Sequence, residues 1–370
     1  MHPRFRILFV ASLAVFTLSQ CSQIPKPNAQ DNAPQQVIAY YAGNGDQIAA
    51  FDLQGVDQLI YSFLHLQGNE LAVDNAEDSI SLRKIIAQKE RYPNLKVLIS
   101  LGGWGGCETC SEVFNTAEGR EEFARSTAAI IETYQADGID LDWEYPAISG
   151  YPGHLYQEAD RPNFTEVVRM LRQYMQPDDI LSFAAGASSR FLEQSVDWEA
   201  VTPLVDNINI MSYDFVGSGS DQTGHHTSLF ASSGQNRSAD TTIRALIERG
   251  VPPQKIIIGA AFYIKTFKEV GDSNHGLFQP AVFNRSYNQM DFEALKPQFE
   301  FFWDAEAQAP YAYDKNNKLF ATFDDPTSIK AKVQYAKDLG LGGIMFWQLM
   351  NDKPQEGLLQ VMVDAMKVNP

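Results

Sequence analysis

The stretch DGIDLDWEYP, residues 137–146, sets Asp140, Asp142 and Glu144 at every second position, with Leu141 and Trp143 between them. Side chains alternate along an extended strand, so the three acids project to one face and Ile139, Leu141 and Trp143 to the other. Successive acids on such a face stand ~7 Å apart by backbone rise, close enough for their side chains to converge. Partly buried like charges at that spacing cannot all stay ionised, so at least one proton is held and one carboxyl pKa is raised. That is the electrostatic setting of a general acid working near neutral pH. Asp137 falls off the alternating face and reads as structural.

Such acids need a rigid frame. Eight short β-rich runs recur along the chain: 37–41, 58–64, 96–101, 138–143, 181–186, 207–213, 255–262 and 343–347. Amphipathic segments with apolar spacing of three and four lie between them, as at 118–135, 164–175, 239–250 and 328–340. Strand and helix alternating around one core predict an α/β chain folded as a (β/α)8 TIM barrel, with function gathered at the carboxyl ends of the strands. The spacing breaks between the seventh and eighth runs, where residues 266–323 hold 13 aromatics in 58 positions. A structureless loop would not carry so many rings, so a small α+β insertion lobe is expected on the barrel rim.

The first twenty residues differ in kind. Arg4 and Arg6 precede an apolar run from Ile7 to Leu18 and a polar stretch ending at Cys21, the layout of a secretory signal. The sequence LSQC is similar to a bacterial lipobox, with Gln20 where the usual pattern has Gly, Ala or Ser. Residues 1–20 are thus expected to be a signal peptide, residues 21–36 a lipid-anchored or flexible linker, and residues 37–370 the catalytic barrel. The expected location is the outer membrane or cell surface through Cys21, otherwise the medium or periplasm, with no other membrane contact. The formal net charge of −17 argues against holding nucleic acid through phosphates and favours neutral or cationic substrates. Cys107 and Cys110 suit a short loop disulfide in an exported protein; a metal site would need further Cys or His partners. His225 and His226 are adjacent, and the six histidines show no metal-ligand spacing, so neither metal nor cofactor is expected.

DGIDLDWEYP resembles the signature of the family 18 glycoside hydrolases, the chitinase family. SLGGW (100–104), MSYDF (211–215), GAAFY (259–263) and GGIMFWQLMND (342–352) resemble its third-, sixth-, seventh- and eighth-strand motifs in order, and TGHHTSL (223–229) its loop after the sixth strand. The resemblance runs from about Val37 to the end of the chain. It implies that Glu144 is the general acid, that Asp142 holds the substrate acetamido group, and that Asp140 sits behind it, sharing a proton. It implies further that Tyr213 and Asp214 contact the acetamido group and the reacting sugar, and that Trp347 lies beneath that sugar. Trp104, Tyr41, Phe63, Met211 and Tyr263 are expected to line the groove. Where the family commonly shows a Tyr, Gly, Arg run after the seventh strand, this chain has Tyr263, Ile264 and Lys265.

The expected activity is hydrolysis of β-1,4-linked N-acetylglucosamine chains, chitin or its oligomers, by one monomer. The resemblance implies a retaining mechanism in which the substrate's own N-acetyl oxygen is the nucleophile. An endo-β-N-acetylglucosaminidase acting on N-glycan cores is the alternative. A non-catalytic sugar-binding lipoprotein is a third reading, against which the presence of Glu144 counts.

Overall fold

The computed structural model describes residues 35–288 and 295–368; the signal-like stretch, Cys21 and most of the following linker lie outside them. Eight parallel strands close into a barrel: β1 (Gln36–Tyr41), β2 (Gln58–Gln67), β4 (Lys96–Gly102), β5 (Gly138–Asp142), β6 (Ile180–Gly186), β7 (Asn207–Met211), β8 (Ile256–Ala261) and β14 (Gly343–Trp347). Closure comes from β1, which pairs in parallel with both β14 and β2. A short strand, β3 (Glu70–Ala72), extends β2 as an antiparallel hairpin. Each expected run coincides with one barrel strand to within a few residues.

The strands form because their two faces are buried in different cores. Outward residues such as Val37, Ala39, Ile139, Leu141 and Ile258 pack under the helices in one large apolar cluster. Inward residues Ile38, Ile60, Leu98, Ile257 and Met345 fill the barrel floor. The helices carry their own boundary signals. Thr116 caps the helix Ala117–Tyr134, Ser238 closes a capping box on Ala239–Glu248, and Asp325 does the same for Pro326–Leu339, which ends at Gly340 with φ +63°.

The insertion stands between β8 and β14. Its described residues form a five-stranded antiparallel sheet of β9 (Ile264–Lys268), β10 (Val282–Tyr287), β11 (Glu300–Asp304), β12 (Ala309–Asp314) and β13 (Leu319–Thr322), in the order β10-β9-β13-β12-β11. The sheet begins at Ile264, slightly before the expected boundary, because β9 follows β8 after only two residues. Phe267, Tyr311, Tyr313 and Phe320 make up its private core, which accounts for much of the aromatic density.

One buried ion pair fastens this lobe to the barrel. Asp324, just past β13, takes the Lys332 ammonium at 2.6 Å, and both side chains are fully buried. The same carboxylate accepts from the Ala261 backbone N–H at 2.9 Å, from Thr227 at 2.9 Å and from Ser328 at 2.7 Å. It therefore ties the end of β8, the loop after β7 and the helix Pro326–Leu339 to one point. Burial lowers the Lys332 pKa and the Asp324 charge opposes that shift. Lys332→Ala would leave the Asp324 charge buried without its cation, and we expect a loss of about 3–5 kcal/mol in urea unfolding. Adding Asp324→Asn to that variant should recover part of the loss; equal stability of Lys332→Ala and the parent would contradict this account.

Candidate active site

Strand β5 aims its inward side chains up the barrel axis. Asp140, fully buried, is held by four donors: Ser182 at 2.6 Å and Asn209 at 3.0 Å on one oxygen, Tyr40 at 3.0 Å and Ser100 at 3.2 Å on the other. These come from β6, β7, β1 and β4, so the carboxylate cross-links the barrel interior. Burial raises its pKa and the hydrogen bonds work against that rise. No hydrogen bond joins it to Asp142 among the described residues. Both of its oxygens are instead taken up by hydroxyl and amide donors on neighbouring strands.

Above it, Asp142 and Glu144 open into a cavity of about 640 Å³ at the carboxyl ends of the strands. Asp142 ends β5, and Glu144 lies two residues beyond it. Burial and the neighbouring Glu144 and Asp140 charges push the Asp142 pKa well above the ordinary value, and its buried Oδ1 has no hydrogen-bond partner. Burial lifts the Glu144 pKa to about 7, with a hydrogen bond to Tyr145 opposing the rise and the Asp214 charge adding to it. At neutral pH this pair holds at least one proton. Cis peptide bonds occur at Ser62–Phe63, Glu144–Tyr145 and Trp347–Gln348, each next to a cavity residue.

Asp214, beyond the end of β7 with φ +61°, is tied down differently. Its Oδ1 takes the Tyr263 hydroxyl at 2.5 Å and the Lys265 ammonium at 2.6 Å, with His226 Nδ1 at 3.7 Å. Burial alone would raise its pKa, yet the His226 contact and the Lys265 charge hold it well below the carboxylate range. It therefore stays ionised. Lys265, at the position where the expected pattern has Arg, supplies that cation from β9. Burial pushes the His226 pKa down, so the imidazole beneath Asp214 is neutral at pH 7.

The expected groove residues divide into two groups. Trp347, Phe63, Trp104, Met211, Tyr213 and Tyr263 all line the cavity. Phe63 stacks on Trp347 at 5.5 Å, and Tyr40 tilts against the same indole at 5.9 Å. Tyr41 does not join them. The alternation of β1 turns it outward into the core under the helices, where it is fully buried and bonds the Asn44 carbonyl, while Tyr40 faces the cavity. Counting parity from Asp140 across the paired strands would have chosen Tyr40. Tyr145, Arg237 and Lys265 are cavity residues that no sequence argument found; the first two leave loops, where periodicity gives no direction, and Lys265 leaves strand β9 of the insertion.

The remaining candidates are structural. Asp137 pairs with Lys89 at 2.9 Å and Lys96 at 3.2 Å on the outside of the barrel. Cys107 and Cys110 form a disulfide. His225 is buried against Asp304 at 3.0 Å, linking the loop after β7 to the lobe.

The model for "Glycosyl hydrolases family 18" matches residues 36–352. Chitinase A1 of Niallia circulans is 31% identical over 315 residues, covering 77% of this chain and 45% of its own. The chain thus spans about half the length of that relative. A glycoside hydrolase family 18 N-acetylglucosaminidase from Paenibacillus barengoltzii superposes with a TM-score of 0.81 at 29% identity, covering 90% of this chain and 99% of its own. Chitinase ChiW from Paenibacillus sp. str. FPU-7 does so with a TM-score of 0.84 at 30% identity, over 90% of this chain and 33% of its own. With its signature acids at the mouth of a closed barrel and a family match over nearly the whole described length, the chain belongs to the family 18 glycosyl hydrolases.

Proposed function

We propose that this protein hydrolyses β-1,4 links between N-acetylglucosamine units of chitin or its oligomers, with retention of configuration and with the substrate's acetamido oxygen as nucleophile. The observation that carries this reading is the buried Asp142–Glu144 pair at the mouth of an aromatic-walled cavity. Glu144, with a pKa near 7, is protonated over the range where a general acid must give its proton to the glycosidic oxygen. Neither other carboxylate of the cavity suits covalent attack. Asp142 is held toward its protonated, non-nucleophilic form, and Asp214 is committed to Lys265 and Tyr263. This supports a nucleophile that comes with the substrate.

Asp142 suits a different task. Its buried Oδ1 lacks a partner, a state that costs about 1–3 kcal/mol and that an acetamido N–H would relieve. Turned by that bond, the acetamido oxygen attacks the anomeric carbon as Glu144 protonates the leaving oxygen. Water then enters from the face that the leaving group vacated, displacing the acetamido oxygen from the anomeric carbon, and Glu144, now ionised, takes its proton. Trp347 offers an indole face for the apolar C–H surface of the reacting ring, with Tyr40 and Phe63 packed behind it. The relatives' names, a chitinase and an N-acetylglucosaminidase, agree with a substrate built from N-acetylglucosamine. Export, with attachment through Cys21, is the location we propose from residues 1–36.

Glu144→Gln keeps shape but has no proton to give, so hydrolysis of a chitin oligomer should fall by about 10²- to 10⁴-fold while calorimetric binding of the oligomer persists. A variant that keeps more than about a tenth of the parent rate would overturn the assignment of Glu144.

Asp214→Asn tests the electrostatics. The acid form of Glu144 is lost as pH rises through its pKa, which sets the alkaline limb of kcat/KM. Removing the Asp214 charge takes away a group that raises this pKa and leaves the Lys265 ammonium unpaired, and both lower it. The alkaline limb should therefore move to lower pH; a limb that stays put or moves up would contradict the role of that charge.

A further inference from the structure

Around the barrel mouth the strands run β14, β1, β2, β4, β5, β6, β7, β8. Strand β5, which carries Asp142 and leads into Glu144, therefore divides the cavity wall into two arcs of different chemistry. The arc from β14 to β4 carries Trp347, Tyr40, Phe63 and Trp104, a run of aromatic side chains. The arc from β6 to β8, with the lobe above it, presents Ser188, Ser218, Ser286, Asn288 and two cations, Arg237 and Lys265. Its rings are engaged with neighbours: the Tyr263 hydroxyl bonds Asp214, Tyr213 packs edge-on with Tyr263 at 5.9 Å, and Phe283 packs edge-on against Phe267 of the lobe core.

The two cations are not equivalent. Lys265 is neutralised by Asp214 at 2.6 Å. Arg237 forms no ion pair with a carboxylate among the described residues. One of its nitrogens donates to the Phe215 carbonyl at 2.9 Å, and its guanidinium carbon sits 5.6 Å from the centre of the Phe215 ring. Those contacts fix the plane of the group and leave other N–H donors free. A planar guanidinium held this way is shaped for two parallel bonds to a carboxylate, which a lone ammonium cannot match. In a chain of net charge −17, whose field repels anions, an unpaired arginine on the wall of the cavity is the place where an anionic substituent would be accepted.

The side on which that substituent falls follows from the reading of Glu144 and Trp347 given above. The sugar that carries the reacting acetamido group rests on Trp347, and aromatic rings suit the C–H faces of the units that follow it, which puts its chain along the aromatic arc. The leaving group lies across Glu144, against the arc of Arg237. We propose that the leaving-group side of this cavity recognises a sugar bearing a carboxylate, with Arg237 as the residue that reads the charge.

The probes are tri-N-acetylchitotriose oxidised at its reducing end to the aldonate and the same trimer reduced to the alditol. Both end in an open chain and they differ in charge. At low ionic strength the parent should cleave the aldonate about tenfold better in kcat/KM than the alditol, the scale of one charge-assisted pair open to solvent. Added salt should shrink that ratio. Arg237→Gln should bring it near one, and Arg237→Lys should retain part of it. A parent ratio at or below one, or a ratio that Arg237→Gln leaves unchanged, would overturn the proposal. Failure of the parent to cleave any of these trimers or the unmodified one would instead sink the glycosidase reading; the calorimetric affinities of aldonate and alditol for the parent and for Arg237→Gln would still decide whether Arg237 reads the charge.

Discussion

Two carboxyl groups, Asp142 and Glu144, are withdrawn from water in one cavity wall, and neither is ion-paired to a cation among the described residues. Ionising both would place like charges in a poorly hydrated space, so the protein keeps a proton there at neutral pH. Everything around the pair serves that condition. The barrel must close to exclude water, and β1 closes it by pairing with β14 and β2. The third acid, Asp140, is fixed below the pair by donors from four other strands. A nearby anion must stay ionised to help hold the Glu144 proton, and Asp214 is kept so by Lys265 and Tyr263.

The insertion lobe contributes to the same site from outside the barrel. Strand β9 brings Lys265 to Asp214, and β10 places Phe283 and Ser286 on the cavity wall. That placement is only as firm as the lobe's attachment, and the Asp324–Lys332 pair supplies a buried anchor where β13 returns to the barrel. A buried ion pair is a weak source of net stability, because desolvation offsets much of the attraction. Its value here lies in register: Asp324 collects donors from three segments that must meet at one point for the lobe to stand over the mouth.

Much of this was legible in the sequence, for physical reasons that also mark where legibility ended. Barrel strands are buried on both faces, so runs such as KIIIGAAF stand out, and the acids at 140 and 142 announce themselves by interrupting one. Tyr41 went to the wrong face because an isolated apolar run gives no sign of which parity points inward; only pairing with neighbouring strands fixes it. The donors that hold Asp140 gave no sign in the sequence, since they are Ser, Asn and Tyr residues 40 to 100 positions distant. Arg237 and Lys265 were silent as functional residues for a related reason: one stands on a loop and the other on a strand of the insertion, and the partners of both are set by the fold.

The central claim is that Glu144 in the free protein keeps its proton up to about pH 7 because it is buried beside other acids. Carboxyl-carbon NMR on selectively labelled glutamate, with Glu144→Gln used to assign the resonance, measures this directly. The account predicts a Glu144 resonance that titrates near 7, with a second step from its coupling to Asp142. A single titration near the ordinary glutamate value of about 4.3 would mean that the carboxylate is already ionised at neutral pH, and the chemistry derived from its proton would fall.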